Sequence, residues 1–219
     1  MIEKRKLRVL HIVIYLLLFF TTWSIKELVI VPVWFSQFDE LTWHVSEASI
    51  KLLVWMVPAL FLIRHFQDDM WISLDDMFTN KSRFSKGWLI LLFVLFPLIS
   101  ALFIHGEIAI RPGFESNILI WMVPGVIIEE VVFRGFLLNT MLKRMKVWQA
   151  VMIDAILFTL IHFPIWIYWG LDVFAIILNG VQMLPVSVLF AFSFIKTKSI
   201  IVPIVIHLLW NILTLLFVV

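Results

Sequence analysis

Acidic and basic side chains stand close together in a segment that is otherwise apolar. Glu129, Glu130 and Arg134 interrupt an apolar run between residues 118 and 138. Glu130 and Arg134 are four residues apart, so a helix places both on one face and an ion pair can form. Glu129 points about 100° away on the same helix. Its partner must therefore come from another part of the chain.

Three more polar side chains occupy two further apolar segments. His162 lies in one of them, and His207 and Asn211 lie four residues apart in the other, which places that pair on a common helix face. An ionisable side chain at the centre of a bilayer costs about 2.5 to 3.5 kcal/mol, so it is expected to face a polar cavity rather than lipid. We expect Glu129, His162, His207 and Asn211 to converge at one site.

These side chains suit hydrolysis. A carboxylate and an imidazole can activate water, while imidazole and amide N–H groups can stabilise the oxyanion of a tetrahedral intermediate. Two histidines and one glutamate are also a common ligand set for catalytic zinc. In that case Glu129, His162 and His207 would be the ligands. The residues alone leave open whether catalysis uses a divalent metal or none.

Other classes of membrane protein make different demands on the sequence. The chain has no cysteine, which excludes a catalytic thiol and a Cys zinc cluster. It also has no His-Glu-x-x-His zinc helix, no Gly-x-Ser-x-Gly elbow and no Gly-x-Gly-Asp motif. A proton-coupled transporter or channel could hold Glu, Arg and His in a membrane cavity. Against that alternative, the sequence shows no internal repeat of the kind many transporters have.

The composition sets the environment of these residues. Of 219 residues, 63% are hydrophobic and only 15% are charged, against roughly 25% charged in an average soluble domain. A membrane-spanning helix needs about 20 mainly apolar residues. We therefore predict an all-α, polytopic transmembrane helix bundle of about seven helices, at residues 9–31, 47–66, 88–105, 118–138, 148–168, 171–194 and 198–219.

The positions of the basic residues predict the orientation. A cytoplasmic amino terminus puts most of the 17 Lys and Arg residues on the cytoplasmic side, as the positive-inside rule requires. Lys26 and Lys51 are then assigned to the opposite side. This distribution explains the net charge of +2 without a nucleic acid partner. The expected partners are the lipid bilayer and a membrane protein or peptide substrate.

The chain divides into two predicted regions. Residues 1–117 form the first three transmembrane helices, and include a cytoplasmic loop at 67–87 with a short surface helix. Residues 118–219 form a catalytic core of the last four helices. All the candidate site residues fall in this second region.

At these residues the sequence resembles the CPBP intramembrane protease family, which includes CAAX prenyl endopeptidases and the bacteriocin-processing or self-immunity proteins of the Abi family. Three family motifs occur in order, each within a predicted span. They are Glu-Glu-x-x-x-Arg at Glu129, Glu130 and Arg134, Phe-x-x-x-His at Phe158 and His162, and His-x-x-x-Asn at His207 and Asn211.

The resemblance implies an intramembrane protease and a role for each motif residue. Glu129 with His162 would activate water, His207 with Asn211 would form the oxyanion hole, and Glu130, Arg134 and Phe158 would support them. The family is described both as metalloproteases and as metal-independent glutamate proteases, so the resemblance also leaves the metal open. It implies a multi-pass protein of the cell membrane, and the compact loops favour a bacterial plasma membrane. A non-catalytic bacteriocin immunity protein with an idle site is the alternative within the family.

Overall fold

The protein is α-helical throughout the residues that its computed structural model describes, which are 7–79, 99 and 118–216. The fourth helix, α4, is continuous from Ile118 to Leu142. The helices are α1 (Val9–Gln37), α2 (Glu40–His65), α3 (Leu74–Thr79), α4 (residues 118–142), α5 (Val147–Leu160), α6 (Phe163–Tyr168), α7 (Val173–Thr197) and α8 (Ile201–Leu216).

The helices confirm an all-α membrane bundle. Four helical segments are long and apolar enough to cross a bilayer, namely α1, α2, α5 together with α6, and α7, while α8 is apolar but shorter. The predicted fourth span is also a helix, α4, although it contains three ionisable side chains. The predicted third span, 88–105, lies outside the described residues.

The first two helices are longer than predicted. The first ends at Gln37 rather than near residue 31, and the second begins at Glu40 rather than at residue 47. The Asp39 side chain accepts a hydrogen bond of 2.9 Å from the backbone N–H of Thr42 and so caps the second helix. Lys26 and Lys51, which fall in the predicted spans 9–31 and 47–66, therefore lie within these longer helices.

Three helical segments are widened into π-helical turns, at Lys26–Ile30, Leu52–Met56 and Val131–Leu138. Pro32 and Pro58 lie just beyond the first two segments. Because proline has no N–H to donate to the preceding turn, the helix there loses an ordinary hydrogen bond and can widen. All three segments include or directly follow ionisable residues, and π-helical turns are frequent at functional sites.

The central helix is α4. Every residue from Val131 to Leu138 is buried, and the Phe133 ring makes edge contacts with Phe19 of α1 and Phe158 of α5, at 5.9 Å and 5.1 Å between ring centroids. Since other helices cover it on several sides, α4 can hold ionisable side chains that do not face lipid.

A break between α5 and α6 places one histidine of the predicted site. The α5 helix ends at Leu160, a turn covers residues 161 and 162, and α6 starts at Phe163. Pro164 follows directly and cannot donate a hydrogen bond back into this turn. His162 therefore lies where the helix stops rather than along its length.

Candidate active site

A buried ion-pair network joins α4 to three other helices. Arg134 Nη1 donates a hydrogen bond of 3.1 Å to Glu130 Oε1, which confirms the predicted pairing within α4. Arg134 Nη2 donates to the Ser187 hydroxyl at 2.8 Å and to its carbonyl at 3.1 Å in α7. Arg134 Nε lies 3.5 Å from Asp154 Oδ2 in α5. His207 of α8 completes the network, with Nδ1 2.8 Å from Glu130 Oε1.

Two phenylalanine rings enclose this network. The Arg134 guanidinium carbon lies 4.4 Å from the centroid of the Phe158 ring and 5.4 Å from that of Phe190. The His207 ring stacks on Phe190 at 4.6 Å and meets Phe158 edge-on at 5.7 Å. Both phenylalanine side chains are fully buried. The charges of Glu130 and Arg134 are thus shielded from water and from lipid. Removing one partner of such a buried pair is costly, because the other charge is left uncompensated.

The hydrogen bond of His162 determines which of its ring nitrogens is free. His162 Nδ1 lies 2.9 Å from the Phe158 backbone carbonyl. A carbonyl oxygen only accepts hydrogen bonds, so Nδ1 carries the proton and Nε2 of the neutral ring is an acceptor. The preceding residue is also held, because the Trp23 indole Nε1–H donates to the Ile161 carbonyl at 2.7 Å.

Glu129 faces a different environment from that of its neighbour Glu130. The Glu129 side chain is 14% exposed, whereas that of Glu130 is fully buried. Lys51 of α2 lies beside Glu129, with 3.6 Å between Nζ and Oε1, and the same ammonium lies 3.1 Å from Glu47 Oε1. The partner of Glu129 thus comes from another span, as its position on the helix predicts.

The second residue of the His207 motif lies one turn further along α8. Asn211 is partly exposed, and its backbone carbonyl accepts a hydrogen bond from Thr214. Within residues 7–79 and 118–216, no hydrogen bond occupies the Asn211 side-chain amide.

The four predicted water-activating and oxyanion residues lie on α4, on α8 and in the turn between α5 and α6. His162 and His207 both contact the Phe158 ring, with 5.2 Å and 5.7 Å between ring centroids. Asp154, which the sequence places on the His162 face, contacts Arg134 instead. Two contributors were missed, Lys51 and Ser187. Lys51 had a usable signal, a four-residue spacing from Glu47 in an apolar stretch, whereas a single serine in an apolar helix carries none.

A metal site requires three or more ligands around one point. The part of the chain that the structure describes contains no group of three His, Asp or Glu side chains placed to hold a metal ion. Glu129 is turned toward the Lys51 ammonium, a cation that a metal would have to displace. The arrangement of Glu129, His162 and His207 therefore does not fit a metal centre, and we derive no step through one.

Comparison with known proteins identifies a family that resembles the second part of the chain. Residues 112–213 match the family described as type II CAAX prenyl endopeptidase Rce1-like. The matched region includes all seven motif residues, from Glu129 to Asn211, and confirms the resemblance drawn from the motifs. Neither a curated protein nor a solved structure matches the chain.

The fold and the match together define the class of protein. It is a multi-pass membrane protein. Its residues 112–213 are similar to the Rce1-like type II CAAX prenyl endopeptidase family.

Proposed function

We propose that the protein hydrolyses peptide bonds of membrane-associated substrates, with Glu129 and His162 activating water. The observation that carries this proposal is the contrast between the two adjacent glutamates. Glu130 is fully buried, and its Oε1 is bound by both Arg134 and His207, so this oxygen is committed to the fold. Glu129 keeps an exposed edge, and its ion pair with Lys51 is the contact that holds its carboxylate among residues 7–79 and 118–216. It is the carboxylate that water can reach.

His162 supports the same assignment. Its Nδ1 is fixed on the Phe158 carbonyl, which leaves Nε2 as the acceptor for a proton from water. A general base must lie within hydrogen-bond reach of the proton that it removes, directly or through one water. The turn at residues 161 and 162 holds this ring beside Phe158, whose ring also contacts His207.

We assign His207 and Asn211 to the oxyanion. His207 gives its Nδ1–H to Glu130, so its Nε2 donates a hydrogen bond when the ring is an imidazolium. Donors of this kind, held in place before reaction, contribute about 2.7 to 4 kcal/mol each.

The substrate class follows from the family description and the membrane location. We propose a peptide segment that enters the site from the bilayer, and the first candidate is a prenylated peptide ending in a CAAX sequence. Bacteriocin processing or self-immunity in a bacterial plasma membrane is the second candidate for the same chemistry. The two differ in the peptides that the enzyme releases, and one experiment distinguishes them.

The test compares peptides released from membranes that carry the wild type or Glu129→Ala, by mass spectrometry. Glu40→Ala, a change of an exposed acidic residue at the start of α2, is the matched control. The expression levels of all three proteins are matched first, and their unfolding temperatures are shown to be equal. Catalysis predicts that a set of products disappears with Glu129→Ala only. Identical profiles from all three proteins would overturn the proposal in favour of a binding immunity protein or a transporter.

A further inference from the structure

The first two helices, which lie outside the matched region, contribute a chain of charged residues that ends at the site. Lys26 contacts Glu47 across the interface of α1 and α2 and lies 2.9 Å from Glu27. Glu47 Oε1 lies 3.1 Å from Lys51 Nζ, which in turn lies 3.6 Å from Glu129 Oε1. The two positive charges of Lys26 and Lys51 balance the two negative charges of Glu27 and Glu47. The negative charge of Glu129 is then the one without a matching positive charge in this chain of residues.

Aromatic rings fix the position of the Lys51 ammonium. Its Nζ lies 4.8 Å from the centroid of the Trp23 ring and 5.7 Å from that of Trp55, where the negative face of each ring attracts a cation. Trp23 is the same residue whose indole donates to the Ile161 carbonyl beside His162. The side chains of Trp23 and Trp55 are both buried. The ammonium is thus held on one side by carboxylates and on the other by rings.

A glycine on α4 makes room for this ammonium. A β-carbon added at Gly125 would lie 3.8 Å from Lys51 Nζ. Gly125 is one helical turn before Glu129, so both residues share a face of α4. A methyl group fits there at ordinary van der Waals distance, and a longer side chain would push Lys51 away from Glu129.

We propose that Lys51 is a positioning residue of the active site, which holds the Glu129 carboxylate in the orientation that activates water. The inference rests on the proposed role of Glu129. Without Lys51, no ion pair with another helix among the described residues would restrain that carboxylate, and its side chain would sample other rotamers. A displacement of about 1 Å in a reacting group can cost about 100-fold in rate. Lys51 itself touches neither substrate nor water in this role.

The test separates positioning from charge balance. Glu47→Gln with Lys51→Met removes one negative and one positive charge together, and leaves the Lys26–Glu27 pair intact. The probe is a synthetic quenched-fluorescence peptide copied from a cleavage position that the wild type uses and Glu129→Ala does not. We expect kcat to fall by about 10- to 100-fold with KM within about 2-fold of the wild type. The single variant Lys51→Arg keeps a cation at this place and should retain part of the wild-type kcat.

A second pair of variants moves Lys51 without removing any charge. Gly125→Leu should lower kcat in the same way, because its side chain occupies the space of the ammonium. Gly125→Ala is the matched control and should retain the wild-type kcat. Unfolding temperatures of all the variants are measured beside the rates.

Each outcome decides between the two proposals. A wild-type kcat in the Glu47→Gln/Lys51→Met variant, while Glu129→Ala is inactive, would overturn the positioning role and leave the proposed function standing. Release of the same products by Glu129→Ala and the wild type would overturn both. Loss of kcat in the double variant and in Gly125→Leu, with part of kcat retained in Lys51→Arg, supports the positioning role.

Discussion

His207 Nδ1 and Glu130 Oε1 are 2.8 Å apart, although 77 residues separate them in the chain. This contact joins the last described helix to the central one. The same Glu130 oxygen also accepts from Arg134 Nη1, so two positively polarised groups meet at one buried carboxylate oxygen. A single side chain therefore fixes the histidine of one motif to the arginine of another.

The two adjacent glutamates should differ in what their replacement costs. Glu130→Gln removes the carboxylate that Arg134 Nη1 binds and leaves Asp154 as its remaining buried acidic neighbour, and breaking a buried pair costs about 3 to 5 kcal/mol. Glu129→Gln removes a partly exposed carboxylate, and we expect a smaller loss of stability with complete loss of peptide release. Thermal unfolding in detergent and product release measure the two effects. Equal destabilisation by both variants would contradict the separate roles.

Arg134→Lys should destabilise the protein although the charge is kept. The guanidinium reaches Glu130, Ser187 and Asp154 at once and lies over the Phe158 ring. A lysine ammonium lacks the planar fork needed for these simultaneous contacts. We expect a lower unfolding temperature than for Ser187→Ala, which loses one hydrogen bond to a charged group, worth about 1.5 to 3 kcal/mol. The reverse order would show that the arginine geometry is dispensable.

Trp23→Phe should loosen the turn that carries His162. The phenylalanine ring retains most of the packing but has no N–H to donate to the Ile161 carbonyl. A buried carbonyl left without a partner costs about 1 to 3 kcal/mol, and we expect slower product release as well. Trp34→Phe, at an exposed position of the same helix, is the control. Indistinguishable rates and stabilities for the two variants would count against this contact.

Asn139→Leu should release the segment before α3 from the core. The Asn139 side chain accepts from the Ile72 N–H at 2.8 Å and donates to the Ile72 carbonyl at 2.9 Å. Leucine has a similar volume but can make neither bond, so the buried backbone of Ile72 loses both partners. Proteinase K added to permeabilised membranes should cut within residues 67–79 faster in Asn139→Leu than in the control variant Thr79→Ala, which changes an exposed residue. Equal digestion rates would contradict the anchoring.

The sequence predicts the helical class and the pairs within a helix, because both depend on local spacing. Glu130 with Arg134 is such a pair, and its ion pair is present. The need of Glu129 for a partner on another helix could also be predicted. The identity of that partner, Lys51, could not, because its spacing from Glu47 is a signal within α2 only and the sequence does not show which face of α2 packs against α4.

Contacts that use the backbone are not visible in the sequence. The His162 ring binds the Phe158 carbonyl, and Trp23 binds the Ile161 carbonyl. Every residue has a carbonyl, and the sequence does not show which of them accepts a hydrogen bond from a side chain. The break at residues 161 and 162 was easier to predict, because Pro164 is a local signal. Long-range pairs such as His207 with Glu130 require the packing of whole helices.

The widened turn at Leu52–Met56 sets the direction in which Lys51 points from α2. A π-helical turn holds one more residue than an α-helical turn, and one residue corresponds to a rotation of about 100°. Closing this turn to regular α-helix, with no residue removed, would rotate Lys51 away from α4 while Ala59 and Ile63 stay packed against the core. Natural variation in this helix should then preserve the widened turn.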